Sequence, residues 1–590
     1  MIMNLVSIAI ILGLGYLWVT RGFFSALLHL ACVIAAGAIA FGLWETVALA
    51  LLNRAPQSGF LSFIGDAAWG LGLALPFAIS LALLRVATDK IAPGNIIVEE
   101  IYDSVGGGIC GAGIGLITSG MFVLSTGFLR VPADFMGYQP VQIANQGNLQ
   151  FEGGLWIPVD KLTAGLYNTL SQNALATSTP LAYYYPDLAA AAGTQRMSDG
   201  EGKNKNTIRE DGFDVQMRFT VGKGSGLPAN QVFSDIFNPA AQQITLLDGS
   251  PLPANSYIEG FLINFRAGAM ETFGQVVLGN SQLRLIAHNS AGEGVTLHPI
   301  AVTAQARTGD DQFGRFRFEG PFFVASVGGA TEAPMAFEFA VPAGYEATAL
   351  YVRNLRHELA GTKADREFTD ASARDIAIQT GELLVRDAAA NLNFTHAQTV
   401  SGTDPPEGID VTNRVAGRVV LQRGNTTGLQ LGEENRIVSG EATFDPSVLN
   451  VRGLDRALRV DQFEVNKDTG IVQILITGDP AQFPSSYFNP SAAPDLRSDA
   501  PPRLVDAGGQ AYNAVGFVYK DVNKVRVRYT PGRPLRGLDE ADALVRSRDD
   551  QEMYLIFRPS IGVEIKHFAI GDTVLVTFEP PLVLEASRRQ

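Results

Sequence analysis

The chain has 590 residues, with 59 acidic against 45 basic side chains and a formal net charge of −14. It is too long for a single hydrophobic core and too acidic to hold a nucleic-acid backbone. Only 18% of its residues are charged, below the usual quarter. The deficit is concentrated in residues 1–130, so the remainder carries a surplus of about 13 acids, which also argues against adhesion to anionic lipid.

Residues 1–19, 23–44, 67–84 and 105–129 are each close to the roughly 20 apolar residues that cross a hydrocarbon core of about 30 Å. Charges fall between them, at Arg21, Glu45, Arg54 and Asp66, in the polar run 85–103, and at Arg130. Lipid admits only segments that satisfy their own backbone hydrogen bonds, so four transmembrane helices are predicted. The first has no basic n-region, and Trp18-Val19-Thr20-Arg21 is no small-residue cleavage site, so it reads as a retained helix rather than a signal peptide. Thr20-Arg21-Gly22 allows only a hairpin. The second helix is expected to end at Trp44-Glu45, with an aromatic at interfacial depth. Residues 60–64 then lie at the interface. Pro76 falls inside the third helix, where it should kink it, and Arg85 closes that helix.

The fourth helix carries Gly107, Gly111 and Gly115 at every fourth position. That spacing puts a glycine ridge on one face, where a neighbouring backbone can approach closely. Packing within the chain or between copies is the expected use, and a glycine-lined conduit is the alternative. Within the second helix His29 is an intramembrane ionisable group and therefore a functional candidate, although a hydrogen bond to a neighbouring helix accounts for it equally well.

Arg21-Gly22-Phe23 after the first helix, four spans, and Asp103 followed by Gly107, Gly111 and Gly115 resemble the colicin V production (CvpA) membrane family. The resemblance covers about the first 130 residues, and Ser104 stands where that family usually has Arg. It implies an inner-membrane protein linked to toxin production or export and to envelope homeostasis, and it implies no catalytic residue.

Beyond Arg130, residues 161–176 space Leu162, Leu166, Tyr167, Leu170 and Leu175 as a juxtamembrane amphipathic helix, with Asp160 as its N-cap, packed on the body or the bilayer rim. Residues 189–212, which include Ser198 to Lys205, are small and polar and read as a linker. From Phe213 the period becomes two, and strands are expected at 213–221, 257–265, 282–287, 296–304, 315–319, 335–341 and 348–352. Residues 361–393 are more helical in character, and Asp404-Pro405-Pro406-Glu407-Gly408 marks a boundary. A second series of strands follows at 418–421, 441–444, 471–477, 514–519, 524–530, 553–557, 562–567 and 573–578, broken by a loop over 489–503. The domains expected are a four-helix membrane unit (1–130), a juxtamembrane helix and linker (131–212), a β-sandwich (213–360), a connector (361–413) and a second β-sandwich (414–590). The run from Phe337 to Tyr345 resembles the penultimate strand and turn of immunoglobulin-like domains.

Signals for chemistry are weak. The six histidines show no zinc spacing, and both cysteines, Cys32 and Cys110, lie in the membrane part, so no disulfide or Cys-based metal site is expected in the body. Gly222-Lys223-Gly224-Ser225-Gly226 lacks the ending of a phosphate loop and reads as a hairpin loop. Lys203 stands where a calcium loop needs an acid. Asp310-Asp311 and Asp549-Asp550 read as turn acids.

The expectation is a non-enzymatic membrane-anchored scaffold or binding protein with no cofactor and no bound nucleic acid. Its partners are the lipid bilayer and other membrane or envelope proteins or copies of itself, and its β-body is extracytoplasmic (periplasmic). The alternative is a channel or transporter component with its pore along the fourth helix. Arg21, Arg85 and Lys90 against Arg54 and Arg130 give a three-to-two positive-inside bias for that orientation.

Overall fold

The structure, a computed structural model, describes residues 2–56, 60–92, 94, 99–132, 134–143, 149–150, 154–195, 205–226, 229–233, 244–253, 255–271, 274–305, 313–318, 323–326, 332–379, 383, 392–401, 405–406, 408–449, 454–465, 469–476, 499–507, 509–545, 548 and 550–584. The sequence readings at 198–204, 310–311, 404, 407, 489–498 and 549 lie outside them.

Among the described residues four helices are long and apolar enough to cross a membrane. They are α1 (Ile2–Val19), α2 (Phe23–Arg54), α4 (Ala68–Ile91) and α5 (Glu100–Gly127), with a short α3 (Phe63–Asp66) between the second and third. Helix α5 is the central one. It packs along α1 on one side and against α2 and α4 on the other.

Two boundaries differ from expectation. Helix α2 does not stop at Glu45 but runs on to Arg54, and at ~1.5 Å per residue its 32 residues exceed the membrane core. The extra turns keep an apolar stripe, and Ala48 and Leu52 are buried while Leu49 packs on the core of the β-body. Arg85 likewise does not close α4. The helix continues to Ile91, with Arg85 and Asp89 paired at 2.7 Å on one face. Pro76 sits inside α4 as read, and is buried.

Of the residues read as linker, 189–195 are helical. Helix α6 (Val159–Gln172) stands where the juxtamembrane helix was expected and packs on α5, followed by α7 (Leu181–Tyr184) and by α8 (Leu188–Gln195), which lies between bundle and body and is mostly buried. Asp160 is not the N-cap of α6. It lies one residue inside the helix, and its carboxylate accepts from the Tyr138 hydroxyl at 2.6 Å.

The body contains several sheets. A six-stranded sheet runs Arg366–Phe368, Phe213–Val221, Tyr257–Phe265, Ala333–Val341, Pro299–Gln305, Phe313–Arg317 in spatial order, facing a four-stranded sheet of Leu355–Glu358, Tyr345–Val352, Leu283–Asn289 and Gly294–Leu297. Phe261, Phe265, Phe337 and Phe339 fill the space between them with Leu285 and Leu350. The first sheet's other face is covered by the helix Ala371–Gln379, which explains why Phe219–Val221 is buried on both sides although the strand begins with alternation. Under that helix Glu338 is fully buried between Arg315 (2.8 Å) and Arg374 (3.0 Å). The turn after Val221 does not close a tight hairpin, since a one-turn helix at Ala229–Val232 follows and, among the described residues, the chain re-enters the sheet at Tyr257.

The second half builds a seven-stranded sheet, which includes Val472–Ile476, Glu552–Phe557, Gly516–Lys520, Val525–Tyr529 and Ile437–Phe444, and a five-stranded sheet, which includes Thr573–Val583, Glu564–Ile570 and Pro502–Asp506. The last of these begins in the final two residues of the run read as loop, 489–503. Proline is tolerated as the first residue of a strand because no ladder donor is needed there.

Candidate functional site

Gly22, Phe23, His29, Asp103 and Gly107 come together at one end of the bundle. Gly22 has φ +89°, a conformation that favours glycine, and so lets the chain turn from α1 into α2 within three residues. The turn leaves the first N–H groups of α2 without carbonyl partners, and no side chain of its own caps them. The acceptor comes from another helix: the Asp103 carboxylate takes the Phe23 N–H at 2.8 Å. An acid there also meets the positive end of the α2 dipole. One turn further along α5, a Cβ on Gly107 would lie 2.5 Å from the Trp18 carbonyl oxygen, and the ring of Phe23 lies against Gly106. Asp103, Gly107, Gly22 and Phe23 therefore form one joint, in which the acid caps and the glycine admits the turn.

The ridge continues along α1. Added Cβ atoms would fall 2.8 Å from the Leu14 oxygen at Gly111 and 2.6 Å from Ile11 Cα at Gly115. The face is filled by α1 backbone.

Beside the joint, His29 stacks on Trp18 with ring centroids 4.9 Å apart, and its Nδ1 has no hydrogen-bond partner. The expected interhelical hydrogen bond is thus replaced at that nitrogen by a ring contact. The guanidinium groups of Arg21 and Arg85 each lie 5.5 Å from the Trp18 ring centroid, and Arg85 donates to Ser25 Oγ at 3.2 Å.

The opposite end holds a second cluster that the sequence did not reveal. Glu45, read as an interfacial helix end, accepts from the Tyr185 hydroxyl at 3.0 Å and pairs with Arg356 at 2.8 Å. Arg356 also lies 3.7 Å from the Tyr184 ring centroid and pairs with Glu358. Behind them the rings of Trp44, Tyr185 and Tyr351 pack in sequence at tilted angles, with centroid separations of 5.0 and 5.3 Å. Arg284, 1% exposed, donates to Asn354 Oδ1 at 2.7 Å and sits 4.8 Å from the Tyr351 ring. Burial pushes both the Tyr185 and Tyr351 hydroxyls well above their ordinary value, so both remain protonated at neutral pH. Membrane helix and β-body thus share one core.

Among the described residues no cluster of three or more His, Cys, Asp or Glu side chains is placed to hold a metal ion. A cleft of about 1800 Å³ opens between the end of the bundle and the two β-bodies. Its charges are largely paired among themselves, as Arg130 with Asp66, Arg266 with Asp214 and Arg503 with Asp572.

No family model, no curated protein and no solved structure matches this chain.

Proposed function

We propose that the chain is a CvpA-type membrane protein that serves as a scaffold or binding protein, with no catalytic centre of its own. The observation that carries this reading is the shared core at Glu45, Tyr185, Tyr351 and Arg356, which fixes the β-body to the bundle. A body held in that way presents a constant surface to a partner, as a scaffold requires. The CvpA assignment is supported by the joint of Arg21-Gly22-Phe23 with Asp103 and Gly107, because the residues that carry the resemblance are those in contact. From that assignment follow placement in the inner membrane and a link to toxin production or export, or to envelope homeostasis.

We further propose that the first β-unit is an immunoglobulin-like sandwich. With the edge strands Arg366–Phe368, Phe313–Arg317 and Gly294–Leu297 set aside, the remaining strands of the two sheets, lettered in chain order, run Phe213–Val221, Tyr257–Phe265, Ala333–Val341 and Pro299–Gln305 as A-B-E-D, and Leu355–Glu358, Tyr345–Val352 and Leu283–Asn289 as G-F-C, the order of that fold. Such modules suit protein partners of the envelope. The pore alternative gains nothing from the glycine ridge, which is occupied by α1.

The orientation is tested by reporters fused after Gln590. Alkaline phosphatase should be active and green fluorescent protein dark, and the reverse would place the body in the cytoplasm. Co-purification from mildly solubilised membranes should return envelope proteins or further copies of the chain. Recovery of the chain alone, as a monomer, would count against a scaffold.

A further inference from the structure

We infer that α6 is an in-plane membrane helix whose outer face lies against the lipid acyl chains at the boundary with the headgroups, so that the bilayer itself is the partner of this surface. The helix is seated on two membrane-spanning helices. Its Tyr167 hydroxyl donates to the Val33 and Ile34 carbonyls of α2 at 3.2 and 3.3 Å, and its ring lies 5.1 Å from that of Phe41. Gly37 makes the room, since a Cβ there would overlap the Tyr167 ring. Thr163 and the Val159 carbonyl fill the corresponding notch at Gly120 of α5. At its start, the Trp156 N–H donates to Asn4 Oδ1 at 2.7 Å, and Asn4 belongs to α1.

The depth follows from helix geometry. Counting from Glu45 at ~1.5 Å per residue, the α2 positions that α6 touches, from Phe41 through Gly37 to Val33, lie roughly 6–18 Å down α2. The upper part of that span is the level at which an amphipathic helix in the membrane plane buries its apolar face, about 5–10 Å into the boundary.

The inner face of the helix carries polar as well as apolar side chains. Polar residues point into the protein: Asp160 is 6% exposed and takes the Tyr138 hydroxyl, Thr163 is fully buried, and Asn168 Nδ2 donates to the Tyr185 and Pro186 carbonyls. Outward on α6 stand Lys161, Leu162 (47% exposed), Gly165, Thr169 and Gln172, with Leu166 half-buried beside them, and exposed Trp156 and Leu175 flank the helix at its two ends. The outward hydroxyl of Thr169 needs no water, because it donates to the Gly165 carbonyl at 2.8 Å. Lys161 lies in the first turn, where its long stem brings the ammonium to the headgroups.

The test uses the full chain in phosphatidylcholine vesicles, labelled with a small fluorophore at Leu162→Cys or Leu175→Cys and corrected for labelling of the parent, whose own cysteines are buried. Two controls of matched exposure bracket the answer: Leu12→Cys on α1 (67%) and Val522→Cys on the β-body (68%). Phosphatidylcholine brominated on its acyl chains should quench the labels at 162 and 175 several-fold more than it quenches position 522, approaching position 12, while aqueous iodide should quench them several-fold less than position 522. Iodide quenching equal to that at position 522 would overturn the inference. Protection from both quenchers would also overturn it, by showing that a protein covers the face.

Discussion

The glycine ridge of α5 permits a test in which the same substitution, two residues apart, has opposite effects. In Gly115→Ala the new methyl would lie 2.6 Å from Ile11 Cα and 3.2 Å from the Ile10 and Ile11 oxygens, all backbone atoms that no rotamer change can move. Carbon pairs rest near 3.5–4.0 Å, so α1 must retreat by on the order of 1 Å. Overpacking of that kind costs about 1–3 kcal/mol, against about 1 kcal/mol gained from the better helix propensity of alanine. In Gly113→Ala the methyl would meet the Leu30 side chain at 3.5 Å, an ordinary contact, so only the gain remains. The two variants should therefore differ by about 1–3 kcal/mol, Gly113→Ala the more stable, and Gly111→Leu should fall below both. The buried native thiols Cys32 and Cys110 supply the readout, because their reaction with a thiol reagent on heating reports opening of the bundle. Labelling midpoints for Gly115→Ala and Gly113→Ala that shift together would refute the packing argument.

Asp103→Ala should expose the start of α2, lowering stability by about 1–2 kcal/mol, whereas Asp103→Asn keeps an acceptor and should lose only the charge contribution of about 0.3–1 kcal/mol. Hydrogen exchange at the Phe23 amide is the direct measure, and unchanged protection in the alanine variant would show that the cap is dispensable. Glu338 supplies a pH dependence: burial pushes its carboxyl up, but the Arg315 and Arg374 guanidiniums outweigh that and hold it below the usual range. A depressed folded-state value means its contribution is present above about pH 4.3, the unfolded value, and is lost as pH falls through the lower folded value. Glu338→Gln should cost on the order of 3 kcal/mol at neutral pH, since it removes the acid shared by two buried guanidiniums, of which Arg374 keeps Asp375 at 2.7 Å, and a variant melting like the parent by near-ultraviolet circular dichroism would contradict this.

What was legible in the sequence is what repeats within a few residues. Apolar runs of membrane length located all four spans, and period-two alternation placed the strand Phe213–Val221 to the residue because both ends of its pattern are local. The joint at Asp103 was legible in part. Its residues were marked by the CvpA-like pattern, yet no spacing rule links Asp103 to Phe23, which lies 80 positions earlier.

The far end of the bundle was not legible, and the reason is physical. An acid after an apolar run signals a helix end only when water is its partner. Glu45 has Arg356, 311 residues away, and with that charge met the helix can continue into the body. Gly37 and Gly120 were passed over for a related reason. A lone glycine in a helix carries no periodic signal, and it becomes a docking notch only when a side chain such as Tyr167 or Thr163 arrives from a segment more than forty positions away. Three glycines in a ladder can be read from one helix alone, because their regular spacing already describes the surface a neighbour must fit. A single notch is described by its occupant, and the occupant is supplied by tertiary structure.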